Sequence, residues 1–117
     1  MDARKTLLTR FFQALDRQDI EGALAVMHPD ADIVDQLEGE RRVGHAALRD
    51  YWTGAFRMIR SENVPKAFQA LEGGALRVTV HHHVTSPDGA LWHEGPVDYR
   101  VEFRDGLISR IDQLPDG

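Results

Sequence analysis

The sequence has no cysteine and no long apolar run, and each absence excludes a class of protein. Without cysteine the chain has no disulfides, no thiolate nucleophile and no thiolate metal site. No apolar run approaches the roughly 20 residues that a membrane-spanning helix requires. The N-terminus also lacks an apolar stretch followed by a cleavage site. We therefore expect a soluble, cytoplasmic protein.

The charge balance limits the partners. The chain carries 14 Lys+Arg against 19 Asp+Glu, for a formal net charge of −5, and the basic residues are scattered. Binding to nucleic acid or to an anionic membrane depends on clustered positive charge. We expect neither partner.

The length indicates one domain over residues 1–117. A chain of this size, with 42% hydrophobic residues, buries enough surface for one core without covalent or metal staples.

Apolar residues at three- and four-residue spacing predict three helices. The first covers residues 7–15, and the second covers residues 20–27, with Asp19 as its N-cap and Pro29 ending it after His28. A short β-branched segment follows at 30–36. The third and longest helix begins near His45 and runs to about Ile59.

From Val64 onward the apolar period changes to two, which is typical of strands. In the strand at 75–85, one face carries Leu76, Val78, Val80, His82 and Val84. Residues 86–89, Ser-Pro-Asp-Gly, predict a hairpin turn, and strands follow at 91–103 and 107–114. The order predicts an α+β domain whose helices pack on one face of a curved antiparallel sheet.

The segments LLTRFFQALDRQDIEGALAVMHPDADIVD and GPVDYRVEFRDGLISRI carry a family likeness. Together with the helix start at 44–52, they resemble the nuclear transport factor two-like superfamily. Within it, the chain resembles the branch of ketosteroid isomerases and SnoaL-like polyketide cyclases. The resemblance implies a cone-shaped sheet wrapped around the N-terminal helices, with an open end for a small hydrophobic ligand. It also implies a homodimer through the sheet, since Tyr99, Val101 and Phe103 would otherwise leave one face of the sheet apolar and exposed.

Asp35 is the first candidate catalytic residue. It matches the position of the proton-shuttling aspartate of ketosteroid isomerases and follows Ile33 and Val34. Apolar neighbours would raise its pKa toward a range useful for moving a proton beside a carbonyl. The alternative is a solvated aspartate paired with Arg41 or Arg42.

Asp98 is the second candidate. Its segment resembles the isomerase strand whose carboxylic acid stays protonated and donates to the developing oxyanion; in SnoaL-like cyclases an aspartate there is the acid/base. Alternation with Val97 and Tyr99 would point Asp98 away from the core unless a β-bulge lies at Gly95-Pro96. The alternative is a surface aspartate paired with an arginine.

His82 is the third candidate, because it shares the inner face of its strand with valines. A three-residue turn would pair it with Glu94 and make it an acid/base candidate. The alternative is a core histidine bonded to a backbone carbonyl or to Tyr51. The same register would place His93 beside His81 and His83, where three imidazoles suffice for a zinc site with an open position.

The steroid isomerases place an oxyanion tyrosine on the first helix, where this chain has Phe11. A phenyl ring cannot donate a hydrogen bond, so one oxyanion donor is missing; Tyr51 is a possible substitute. The residues predicted to contact substrate are Phe11, Leu15, Tyr51, Trp52, Phe56 and Val80. Such rings at helical spacing are also typical of plain core packing.

The leading hypothesis is an enzyme without metal or organic cofactor that acts on a small hydrophobic carbonyl compound. Proton abstraction by Asp35 or Asp98, with His82 orienting the substrate, fits an isomerase or a cyclase. One alternative is a non-catalytic ligand-binding domain, and another is a metalloprotein that uses His81, His83 and His93.

Overall fold

The computed structural model describes residues 2–34 and 39–115, and these form an α+β domain, as the sequence predicts. Its helices and strands within those residues are α1 (Ala3–Asp16), α2 (Ile20–Ala25), β1 (Met27–Val34), β2 (Arg41–Val43), α3 (His45–Met58), β3 (Arg60–Ala70), a 3₁₀ turn (Glu72–Gly74), β4 (Leu76–Thr85), β5 (Leu91–Arg104) and β6 (Leu107–Gln113).

Side-chain caps fix where the first two helices begin. The Asp2 carboxylate accepts a hydrogen bond from the Arg4 backbone N–H, and Asp19 accepts one from Gly22 at 2.9 Å. Each cap satisfies a donor that the helix itself leaves unpaired. The predicted cap at Asp19 is confirmed, but the predicted end near His28 is wrong. The helix ends at Ala25, and Met27 already belongs to β1.

Gly44 sets the start of α3. Its φ of 88° lies in the region that residues with a Cβ rarely adopt. The Gly44 N–H donates to the Ala31 carbonyl of β1 at 2.9 Å, so the helix start is tied directly to the sheet. This connection brings the apolar stripe of α3 over the inner face of β1.

The six strands form one sheet in the order β2-β1-β6-β5-β4-β3. The prediction of an antiparallel sheet is wrong at one place, because β1 and β6 pair in parallel. Four strand pairs contain a register shift. Bulges of this kind bend a strand and increase its twist, so the sheet curves around the helices.

The hairpin between β4 and β5 has the predicted turn but not the predicted register. The turn closes through Gly89 N–H to Ser86 O and Ser86 N–H to Ala90 O. A bulge then shifts the pairing between Val84 and Thr85 by one residue. His82 therefore lies opposite Gly95, and the prediction that it faces Glu94 is wrong.

The inner face of the sheet forms the core with α1 and α3. Tyr99 and Val101 are 5% and 0% exposed, so the apolar face that suggested a homodimer is covered by the chain's own helices. The argument for dimerisation from that face is therefore wrong. Val80, predicted to contact substrate, is also fully buried in this core.

Strand β3 forms one edge of the sheet and begins at Arg60, four residues before the predicted change of period. A bulge at Lys66 interrupts its pairing with β4 between Pro65 and Ala67.

None of the helices in the described parts of the chain has the length and apolar character needed to cross a membrane.

Candidate functional site

A cavity of about 360 Å³ lies between the helices and the inner face of the sheet. Helices α1 and α3 form one wall, and strands β1, β3, β4, β5 and β6 form the opposite wall. Most of the lining is aromatic or aliphatic. Its polar members include Ser61, Asn63, His82, His93 and Gln113. The cavity therefore suits a small, flat and mainly apolar molecule with a few polar groups.

Five of the six predicted substrate-contacting residues lie in the cavity wall: Phe11, Leu15, Tyr51, Trp52 and Phe56. The ring centroids of Phe11 and Trp52 are 5.9 Å apart, and those of Tyr51 and Trp52 are 6.5 Å apart. Val80 shares the inner face of β4 with His82, but it is fully buried in the core and is not among the lining residues.

His82 is the titratable group whose pKa is most strongly shifted inside the cavity. Burial lowers its pKa from 6.5 to about 4, and repulsion from His93 and His81 adds to the effect. The rings of His82 and His93 are 5.4 Å apart. At neutral pH His82 is uncharged, so it offers one N–H donor and one nitrogen lone pair.

This pKa makes stability depend on pH. The folded state binds the His82 proton less readily than the unfolded state does, so the contribution of His82 to stability is complete above pH 6.5 and is lost as the pH falls toward 4. We expect His82→Gln to lose less stability than the wild type between pH 6.5 and 4, measured by urea unfolding. A His82 ring proton that titrates near pH 6.5 in an NMR experiment would contradict this prediction.

Asp98 does not line the cavity. Strands β4 and β5 pair without a shift around Gly95 and Pro96, so no bulge turns its side chain inward. Asp98 instead accepts hydrogen bonds from Thr79 and Arg77, both at 2.6 Å, on the outer face. The Thr79 hydroxyl and the Arg77 guanidinium hold its pKa below the ordinary value. The prediction that Asp98 is a protonated donor in the cavity is therefore wrong. The structure shows the alternative, a surface aspartate paired with an arginine.

Asp35 lies outside the described residues. Its two predecessors, Ile33 and Val34, both line the cavity at the end of β1. No carboxylate is among the lining residues within 2–34 and 39–115. The proton-shuttling role of Asp35 stays a prediction from the resemblance.

The three histidines of the metal hypothesis are divided between the two faces of the sheet. His83 Nδ1 lies 2.8 Å from the Glu94 carboxylate on the outer face, and His81 lies 3.7 Å from the same oxygen. His93 lies in the cavity wall beside His82. The one-residue register shift separates His93 from the other two, so these imidazoles do not share a site. Within the described ranges, no cluster of three or more potential ligands is arranged to hold a metal ion.

A polar pair joins Asp16, at the exposed end of α1, to the buried Asn63 on β3. The Asp16 carboxylate accepts hydrogen bonds from the Asn63 backbone N–H at 3.0 Å and from its side-chain Nδ2 at 2.8 Å. Burial raises the pKa of the Asp16 carboxyl, while the hydrogen bonds from Asn63 act in the opposite sense. Because β3 is an edge strand, Asp16 also satisfies a backbone donor that no neighbouring strand can reach.

Sequence reasoning missed the cavity residues on β3 and at the start of β5. Ser61 and Asn63 precede the apolar alternation, so the strand was not recognised there. Trp92 and His93 reach the cavity through the bulge beside Val84. The polar alternation of Ser61 and Asn63 was an available signal, although short polar strands resemble loops.

Solved structures of similar shape show the fold. TerC, crystallised with polyporic acid, is 22% identical over 98% of this chain and 92% of its own, with a TM-score of 0.83. A candidate polyketide cyclase from Xanthomonas campestris pv. campestris is 20% identical over 97% and 90%, with a TM-score of 0.80. A nuclear transport factor two-like protein of unknown function from Burkholderia pseudomallei is 19% identical over 99% and 92%, with a TM-score of 0.83.

The comparison with curated proteins finds no match. The family model described as a SnoaL-like domain matches residues 8–111. This span covers the described helices and strands except the first five residues of α1 and the last two of β6, and it contains all the lining residues of the cavity except Gln113. With the fold and the sequence pattern in agreement over that span, the chain belongs to the SnoaL-like family.

Proposed function

We propose that this protein is a cofactor-independent enzyme that moves a proton on a small, flat, hydrophobic carbonyl compound, as isomerases and cyclases do. The observation that carries the proposal is the uncharged His82 imidazole inside an aromatic cavity of about 360 Å³. TerC was crystallised with polyporic acid, which supports the use of this fold for small organic ligands.

The chemistry follows from the protonation state of His82. Removing a proton beside a carbonyl leaves negative charge on the carbonyl oxygen, and a hydrogen-bond donor directed at that oxygen lowers the barrier. An uncharged imidazole can donate its N–H without first losing a proton. In this proposal Asp35 takes the proton from carbon and returns it at a second position, and His82 holds the oxygen.

The aromatic wall orients the substrate. Phe11, Tyr51 and Trp52 offer ring faces against which a planar ligand can pack. Phe11 stands where the steroid isomerases have their oxyanion tyrosine, so His82 on the opposite wall takes over as donor. This arrangement favours a substrate other than a steroid, with its carbonyl directed toward β4.

Deuterium exchange on a simple probe tests the proposal. 2-Tetralone is flat and aromatic and has acidic protons beside its carbonyl. We expect the protein to accelerate incorporation of deuterium from D₂O over buffer with an equal concentration of free imidazole, as followed by proton NMR. Exchange at the rate of that control would contradict the enzymatic proposal.

A non-catalytic ligand-binding domain is the second candidate. It is favoured by the absence of any carboxylate among the cavity residues within 2–34 and 39–115. It predicts that 2-tetralone binds, as measured by calorimetry, without accelerated exchange. Calorimetry and NMR on the same sample therefore separate the two candidates.

A homodimer through the sheet is a further proposal from the resemblance. Its support in the structure comes from exposed side chains at the start of β5 and not from the face that carries Tyr99 and Val101. Leu91 and Trp92 at the start of β5 are 58% and 51% exposed, which is unusual for side chains of that size.

A further inference from the structure

Asn63 presents an unusual polar group to the cavity. The residue is 7% exposed and is the one buried polar residue within the described ranges. Both hydrogens of its side-chain amide are used inside the protein. One goes to Asp16 Oδ1 at 2.8 Å and the other to Ser61 Oγ at 3.3 Å.

The carbonyl oxygen of the same amide is not a fully buried atom, so a ligand in the cavity can reach it. Among residues 2–34 and 39–115 no group donates a hydrogen bond to Asn63 Oδ1. A carboxylate accepts hydrogen bonds and does not donate them, so Asp16 requires the amide nitrogen to face it. The amide therefore cannot rotate by half a turn, and its oxygen keeps its acceptor capacity in a residue that lines the cavity.

The neighbour of Asn63 in the sheet is His82. The two residues are direct cross-strand partners in β3 and β4, so their side chains leave the same face of the sheet. On the other side, His82 pairs with Gly95, which has no side chain. An acceptor oxygen and an uncharged imidazole thus lie side by side at one wall of the cavity.

We propose that Asn63 selects hydroxylated aromatic carbonyl compounds by accepting a hydrogen bond from a ligand hydroxyl, and that Asp16 is the positioning residue that orients its amide. The hydroxyl would lie beside the carbonyl oxygen that His82 contacts. The inference rests on the proposed function in taking the cavity as the binding site and His82 as the contact of the carbonyl oxygen, while the acceptor role of Asn63 is tested without a carbonyl.

The physical basis is the cost of removing water from an accessible acceptor without supplying a donor in its place. A ligand with a hydroxyl satisfies Asn63 Oδ1, whereas an ether or a hydrocarbon of the same shape removes water from it and supplies nothing. Sites of this kind discriminate against an analogue that lacks the hydroxyl far better than apolar pockets discriminate against one methylene.

Calorimetric titration with 2-naphthol and 2-methoxynaphthalene tests the proposal. The two probes share the ring system, and only 2-naphthol can donate a hydrogen bond. We expect the wild type to bind 2-naphthol about tenfold more tightly. We expect Asn63→Leu to lower this ratio to one or below. The acceptor for the hydroxyl is then gone, and the methyl group of 2-methoxynaphthalene adds apolar area to the contact.

Asp16→Ala and Gln69→Leu complete the design. Asp16→Ala leaves the acceptor in place but frees the amide to rotate, so the ratio should fall toward one. It also tests the proposal if Asn63→Leu does not fold. Gln69→Leu makes the same amide-to-leucine change at an exposed position of β3, outside the cavity, and should keep the wild-type ratio.

Each failure has a distinct meaning. Equal affinity for both probes in the wild type, or a wild-type ratio in Asn63→Leu, overturns the hydroxyl selection while the cavity remains a binding site. A wild-type ratio in Asp16→Ala overturns the positioning role. Failure of both probes to bind overturns the selection and the use of the cavity together. If 2-tetralone exchanges no faster than in the imidazole control while the protein still prefers 2-naphthol, the enzymatic proposal alone is contradicted.

Discussion

Asp35→Asn is expected to slow deuterium exchange on 2-tetralone by about 10²–10⁴-fold, the usual contribution of a positioned acid or base. Asparagine has nearly the shape of aspartate but cannot take a proton from carbon. The change therefore removes the chemistry while the ring systems of the cavity wall stay in place. Binding of 2-tetralone, measured by calorimetry, should remain close to that of the wild type.

Asp98→Asn is the matched control for this experiment. The substitution is the same, but Asp98 is bonded to Arg77 and Thr79 on the outer face of the sheet. We expect an exchange rate within a few-fold of the wild type. Wild-type exchange in Asp35→Asn would show that another group moves the proton. Equal losses in both variants would show that the effect comes from the charge or the fold of the protein.

Leu8→Ala is expected to lower the free energy of unfolding by about 2–5 kcal/mol. Leu8 is 0% exposed and lies on α1 at the centre of the core. Alanine would remove apolar contacts and leave a cavity that the surrounding side chains fill only in part. Since a small domain has about 5–15 kcal/mol of stability in total, urea unfolding should show a large shift of the midpoint.

Leu91→Ala makes the same substitution at a side chain that is 58% exposed. A change within about 0.5 kcal/mol is what an exposed position of a monomer would give, and this result would contradict the proposed homodimer. A loss as large as that of Leu8→Ala, with a midpoint that depends on protein concentration, would show that a second copy covers this surface. A small loss in Leu8→Ala would contradict the assignment of α1 to the core.

The sequence predicts the elements of this fold better than their pairing. Helical periodicity and the cap at Asp19 are local signals, and strand alternation placed His82 on the inner face. The parallel pairing of β1 with β6 has no local signal, because it joins residues that are far apart in the chain. The sequence also does not predict that α2 ends at Ala25, because an apolar residue such as Met27 suits a helix and a strand equally.

In the site, too, the residues placed by local periodicity are predicted correctly, and those placed by strand pairing are not. The aromatic residues of α1 and α3 follow from helical spacing, and the structure places them together. The partners across the sheet depend on one bulge between Val84 and Thr85, which moved His82 from Glu94 to Gly95 and separated His93 from His83. A one-residue shift turns a side chain to the other face, so an error of that size changes the predicted chemistry entirely.

The Asp16–Asn63 pair was beyond sequence reasoning for a different reason. The two residues are 47 positions apart, and neither belongs to a recognisable motif. Their contact depends on how α1 packs against the edge of the sheet.

The build of β3 has a consequence for how the protein behaves at high concentration. A long, exposed edge strand is a template on which another chain can add its own strand, which is a route to aggregation. Here Pro65 cannot donate to such a ladder, the bulge at Lys66 breaks its regular spacing, and Asp16 already occupies the free N–H of Asn63. The contact that orients an amide in the cavity therefore also protects the open edge of the sheet against unwanted strand addition.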